Sequence, residues 1–237
     1  MAIGLLLGAA GPLTLSGADA QPGAQVKSGP ILAAPKPAPL PVVVKPAPAA
    51  VFEAPVAPAR HLAAAAKAKS LLGWKGAAFL VEGRRFRADC AGFVAACYDS
   101  AGVNLFSRMP AGKAGEDTAC QLLWQRYKAR AVTAKNRLPK VGDLVFFDNT
   151  WDRNGNRVRD DRLTHVALVD SVAASGVVHC LHFSSGMVKG LSLDPARPLV
   201  NQAGGKTVND WLRRGAPGEK PNPQNLAGAL FAAYVTP

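Results

Sequence analysis

Three residues of this chain have the types and the surroundings that thiol chemistry needs: Cys90, His165 and His182. Cys90 follows Asp89, a side chain well suited to capping a helix. The residues after it, Ala91 to Tyr98, have helix-forming composition, and Gly102 can end the helix. The pattern predicts a helix that opens at the cysteine, with Phe93, Val94 and Cys97 on one face. In the first turn the unpaired amides and the helix dipole favour a thiolate over a thiol, which is how many nucleophilic cysteines are activated. Gly92 is expected to keep the space beside the sulfur open.

The histidines fall in segments of another kind. Pro139 to Phe147 reads as a turn followed by a short strand; Thr164 to Asp170 and Gly176 to Phe183 are β-branched and aliphatic runs. Turn signals at Ala174-Ser175-Gly176 and Ser184-Ser185-Gly186 separate them, so an antiparallel meander is expected. Period-two alternation puts His165, Ala167 and Val169 on one face, and in the next strand Cys180 and His182 share a face while His179 points the other way. A single histidine on a strand is ordinarily structural. Two on adjacent strands, with a cysteine at a helix start, make a set of nucleophile, base and orienting group. The fold class expected is α+β, with the cysteine helix packed on a small antiparallel sheet.

The remaining cysteines, Cys97, Cys120 and Cys180, form no CxxC pair and no Cys/His spacing of a zinc site. With the nucleophile kept free, one internal disulfide is allowed; Cys97–Cys120 is the pairing expected, and burial as small hydrophobes is the competing reading. Asp152 to Asp161 alternates oxygen-bearing side chains as a calcium loop does. Its sixth position is Arg157 rather than glycine and its twelfth is Leu163 rather than glutamate, so a polar surface loop is the better reading. No metal and no cofactor are expected.

The first sixty residues differ from the rest. Met1 to Ala20 is an apolar run ending in a small-x-small pattern at Ala18 and Ala20, which reads as a signal peptide, although no Lys or Arg precedes Lys27. The run is too short and too interrupted by glycine for a transmembrane anchor to be expected after cleavage. Gln21 to Arg60 is a Pro/Ala-rich linker, expected to be extended and disordered; a tether and a tail without function are equally compatible with it. The hydrolytic domain is expected over 61–237. The net charge is +12, of which +10 lies after Arg60, because only four of the 28 Lys and Arg and two of the 16 Asp and Glu occur up to that residue. Such a surface suits a polyanion. No nucleic-acid-binding motif accompanies it and the basic residues are not interleaved with stacking aromatics, so an anionic envelope polymer is as good a partner and nucleic acid is not specifically indicated.

Asp89-Cys90-Ala91-Gly92-Phe93-Val94 resembles the helix start of the NlpC/P60 cell-wall peptidases. Gly142-Asp143-Leu144-Val145-Phe146-Phe147 resembles their second motif and His165-Val166-Ala167-Leu168 their third. That last strand is closer still to the sister CHAP group. The motifs occur in the family's order over roughly 65–195. The resemblance implies a papain-like fold and a periplasmic or secreted cysteine peptidase or amidase acting on peptidoglycan peptides. It makes Cys90 the nucleophile, His165 the general base and His182 the orienting residue, with Trp74 and Asp89 as substrate contacts. An inactive wall-binding scaffold on the same fold is the alternative. The chain departs from the family in Ala91, where serine is usual, and in Gly73-Trp74-Lys75-Gly76, which lacks the tyrosine that normally stands upstream. Trp74 is then expected to line the cleft. The long interval between Cys90 and His165 implies insertions around 106–140 and 148–163.

Overall fold

The computed structural model describes residues 58–107, 118–215, 218 and 220–237. The expected signal peptide and almost all of the expected linker lie outside these residues. The linker's last three residues do not: Pro58, Ala59 and Arg60 form the first turn of helix α1 (Pro58–Ser70). Proline suits that position, since the first helical amide has no intrahelical acceptor to lose. The helix buries His61, Ala64, Ala65 and Ala68 along one stripe. Among the described residues no helix is long and apolar enough to cross a membrane.

A hairpin of β1 (Ala78–Val81) and β2 (Arg84–Arg87) leads into α2 (Cys90–Ser100). Helix α3 (Ala119–Tyr127) follows, and then the strand β3 (Ala131–Val132). The meander expected from alternation is present as β4 (Leu144–Phe147), β5 (His165–Val172) and β6 (Val178–Ser184). It continues into β7 (Met187–Leu193) through a two-residue turn, in which Ser185 and Gly186 both take positive φ as a type I′ turn requires. A small ribbon of β8 (Gln202–Ala203) and β9 (Lys206–Thr207) precedes the short helix α4 (Ala227–Leu230) and β10 (Phe231–Val235).

The main sheet has six antiparallel strands in the order β3-β10-β4-β5-β6-β7. The last strand in the chain thus lies inside the sheet, beside β4. Both faces of the sheet are covered, which is why β4 can be apolar and buried at all four positions. One face carries Phe146, Val166, Leu168, Leu181 and Phe183 and packs against residues of α1, α2 and α3. The other carries Val145, Phe147, Ala167, Val169 and Cys180 beneath Ala227, Leu230 and Phe231.

The Gly142-Asp143 pair that opens β4 fixes the sheet to the helical layer formed by α1 and α2 and to the end of β10. Gly142 has φ +89°, and a Cβ there would come within 2.6 Å of the His61 Cβ, so only glycine admits α1 this close. Tyr98 of α2 donates its hydroxyl to the Gly142 carbonyl at 2.6 Å and meets His61 Nδ1 at 2.6 Å. Asp143 accepts from the Lys140 amide at 2.8 Å and from the Thr236 hydroxyl at 2.8 Å, tying the end of β10 to the turn before β4.

Candidate active site

Asp89 takes extended backbone angles (φ −139°, ψ 177°) and its side chain accepts from the Gly92 amide at 2.7 Å. This cap starts α2 at Cys90 and leaves the cysteine in the first turn, whose amides lack intrahelical acceptors. The carboxylate is also paired with Arg87 Nε at 3.1 Å, so the Asp89 side chain is engaged at the helix start. The reason for Gly92 differs from the expected one. A Cβ at this position would meet not the sulfur but the backbone of Arg87, lying 2.9 Å from its carbonyl carbon and closer still to its oxygen. Glycine lets the end of β2 fold back over the first turn of α2.

His165 is the first residue of β5 and pairs with Phe147 of β4. Val169 pairs with Cys180, so the shared faces are those given by alternation: His165 with Ala167 and Val169, His182 with Cys180. His165 Nε2 lies 2.8 Å from His182 Nδ1, with the rings perpendicular and their centres 5.0 Å apart. His179 is exposed on the opposite face of β6. His182 is only 1% exposed, and its Nε2 has no hydrogen-bond partner. Burial holds its imidazole well below the usual histidine range, and His165 and Lys189 push the same way. A neutral His182 offers Nδ1 as an acceptor to a protonated His165 Nε2. That leaves the second nitrogen of His165 for Cys90.

The Cys90 thiol is held well below its ordinary range. The largest cause is a hydrogen bond from the thiol of Cys120; burial opposes it, and the charge and hydrogen bond of His165 and the Val166 amide add to it. The Cys90 and Cys120 sulfurs are 3.6 Å apart. Cys120 itself is pushed up, first by its bond to Cys90 and then by burial, so it is the partner that keeps its proton.

This contact corrects the pairing expected for Cys97 and Cys120. All four cysteines are free. Cys97 lies seven residues beyond Cys90, roughly 10 Å along α2, whereas the start of α3 meets the other end of that helix. A capping box sets where α3 begins: Thr118 Oγ1 accepts from the Gln121 amide and Gln121 Oε1 accepts from the Thr118 amide at 2.7 Å. The Thr-x-x-Gln spacing is a visible helix-start signal, although nothing in it announces that Cys120 meets Cys90.

A cleft of about 360 Å³ opens beside His165 and is lined by Trp151, Ser184, Arg213 and Arg214 among others. Its wall comes from the expected insertion at 148–163. Thr150 donates its hydroxyl to Thr164 at 2.8 Å, and Trp151 Nε1 donates to the Thr164 carbonyl at 3.4 Å. Trp151 is 51% exposed there. Trp74 lies elsewhere: it stacks on Phe79 at 4.1 Å and lines a separate cavity of about 150 Å³ with Lys67 and Leu71. Trp151, rather than Trp74, is the tryptophan at the His165 cleft. In the 152–161 loop Asp152 accepts from the Gly155 and Arg157 amides, and Asp161 Oδ2 accepts from the Arg153 amide at 2.9 Å.

The site thus brings together a cysteine at a helix start, a strand histidine and a second, buried histidine that meets the Nε2 of the first. Residues 81–185 match the CHAP domain family, a span that includes Cys90, His165 and His182. The match is consistent with the NlpC/P60–CHAP superfamily, and CHAP domains are typically amidases or peptidases hydrolysing cell-wall peptidoglycan. No curated protein matches the chain.

Proposed function

We propose that this protein is an exported peptidoglycan hydrolase that cuts a peptide or amide bond of the stem peptides with Cys90 as nucleophile, His165 as general base and His182 as orienting residue. The observation that carries this reading is the 2.8 Å contact between His165 Nε2 and His182 Nδ1, on a histidine that also lowers the pKa of a helix-start thiol. His165 takes the Cys90 proton on the nitrogen that does not face His182. The thiolate attacks the scissile carbonyl, and the Cys90 amide at the open end of α2 helps to hold the oxyanion. The imidazolium then returns its proton to the departing amine. A water, deprotonated by His165, attacks the thioester and releases the acid product with the thiol restored. The apolar leader supports periplasmic or secreted action, and the basic surface suits an anionic envelope polymer. Digestion of purified peptidoglycan by the full chain, with mass spectrometry of the fragments, tests both activity and bond. Release of stem-peptide fragments by the parent and none by Cys90→Ser is expected. Equal release by both would remove Cys90 from the mechanism.

A further inference from the structure

Hydrolysis asks one sulfur of this site, yet two are present. Cys120 comes from a different helix and places its sulfur 3.6 Å from that of Cys90. The other two cysteines sit apart in the two separate cores. A hydrogen-bond donor to the nucleophile is useful in hydrolysis, but a serine hydroxyl or a water supplies one as well. What a thiol adds is redox chemistry.

We propose that Cys90 and Cys120 form an oxidisable dithiol site, which hydrogen peroxide converts to a disulfide and a thiol reductant converts back. Closing the bond requires the sulfurs to approach by about 1.5 Å, to the usual S–S length of about 2.05 Å, with the displacement shared between two side chains. Cys90 is the more exposed of the two, and Cys120 is 5% exposed, so the oxidant meets Cys90 first. The Cys90 thiolate attacks one oxygen of the peroxide, the O–O bond breaks, and the second oxygen leaves as water after taking a proton. Cys90 is now a sulfenic acid. The Cys120 sulfur attacks the Cys90 sulfur, and the sulfenic oxygen leaves as a second water with the Cys120 proton. In sum, two thiols and one peroxide give one disulfide and two waters. Two equivalents of a small thiol reverse the step and are themselves oxidised to a disulfide. While the bond is closed Cys90 cannot become a thiolate and so cannot attack a carbonyl, and hydrolysis stops; that consequence rests on Cys90 being the nucleophile, whereas the disulfide itself does not.

The test treats the reduced full chain with limiting hydrogen peroxide and maps its peptides by mass spectrometry. The expected product is a Cys90–Cys120 linked peptide, lighter by two hydrogens than the separate peptides, that disappears on adding dithiothreitol. Cys120→Ser should form no link; under excess peroxide its Cys90 should gain two oxygens, as the sulfinic acid that dithiothreitol does not reverse, while the parent recovers. No linked peptide in the parent, or equal protection of Cys90 in parent and Cys120→Ser, overturns the dithiol site. Should the variant fail to fold, the parent's map alone decides. Peptidoglycan digestion run in parallel separates the two readings. A reduced parent that forms the link but digests nothing removes the hydrolase reading and keeps the site. A parent that digests and never links does the reverse.

Discussion

The approach of β2 to the first turn of α2 makes Gly92→Ala the most informative single substitution in the fold. The new Cβ would lie 2.9 Å from the Arg87 carbonyl carbon and nearer to its oxygen, both backbone atoms that no side-chain rotation can move aside. Either the chain from Arg87 to Asp89 shifts, or the Asp89 cap on the Gly92 amide opens. Overpacking of this kind costs about 1–3 kcal/mol. For a domain of this size that corresponds to a melting temperature lower by roughly 2–12 °C. The displacement falls on the residues that aim Cys90, and an error of about 1 Å at a reacting group costs on the order of 10²-fold in rate. Gly190 of β7 is the control: it has no positive φ and a Cβ there meets nothing within 4 Å. Gly190→Ala is therefore expected to be neutral or stabilising by up to about 1 kcal/mol. Thermal melts by circular dichroism read the first effect and peptidoglycan digestion the second. A Gly92→Ala protein that melts with the parent and digests as fast would show that the close approach is not there, and the account of this motif would fall.

Limiting iodoacetamide at neutral pH should label Cys90 ahead of Cys97 and Cys180, whose thiols burial pushes up; equal rates at Cys90 and Cys97 would count against an activated thiol. His165→Ala should slow that labelling and abolish digestion, while His182→Ala should be milder, because an orienting group matters less than the base it positions; the reverse ranking in kcat would exchange their roles. His182 has a folded pKa below its unfolded one, so its contribution to stability is complete above about pH 6.5 and is lost as pH falls toward the depressed folded value. Urea unfolding between pH 7 and 5 should show this as up to about 1.4 kcal/mol per pH unit. His182→Asn, which keeps an acceptor for His165, should flatten the acid limb, and an unchanged slope would refute the assignment.

The parts legible in the sequence are those whose signals are local. Asp89 announces the start of α2 because capping involves residues three apart, and the shared faces of β5 and β6 follow from alternation between marked turns, although the register of the pair shifts between Val169 and Ser171. The strand β10 carries no such mark. Its partner β4 lies more than eighty residues earlier, and the bond from Thr236 to Asp143 beside the pair is likewise long-range. Gly92 was readable as a required glycine, but its reason lies in a backbone that approaches from β2. Cys120 shows the same limit: its helix start is visible in Thr118 and Gln121, and its neighbour across space is not.

The second histidine has a consequence for how this site holds charge. Where a carboxylate orients the base, its negative charge stabilises the imidazolium directly. His182 is kept neutral by burial and gives His165 only the lone pair of Nδ1. The stabilisation that makes a thiolate available must then come from groups close to the sulfur, and the structure supplies it there: the Cys120 thiol, His165 and the Val166 amide all act on Cys90 at the first turn of α2. These act at close range in a buried site, screened far less by salt than surface charges would be. The Cys90 labelling rate should therefore change little with ionic strength, whereas binding of the basic surface to an anionic polymer should weaken steeply. Labelling and polymer sedimentation measured over one salt series would separate the two. A labelling rate that collapses with salt in step with binding would place the thiolate's support in long-range charge and not in the donors that touch it.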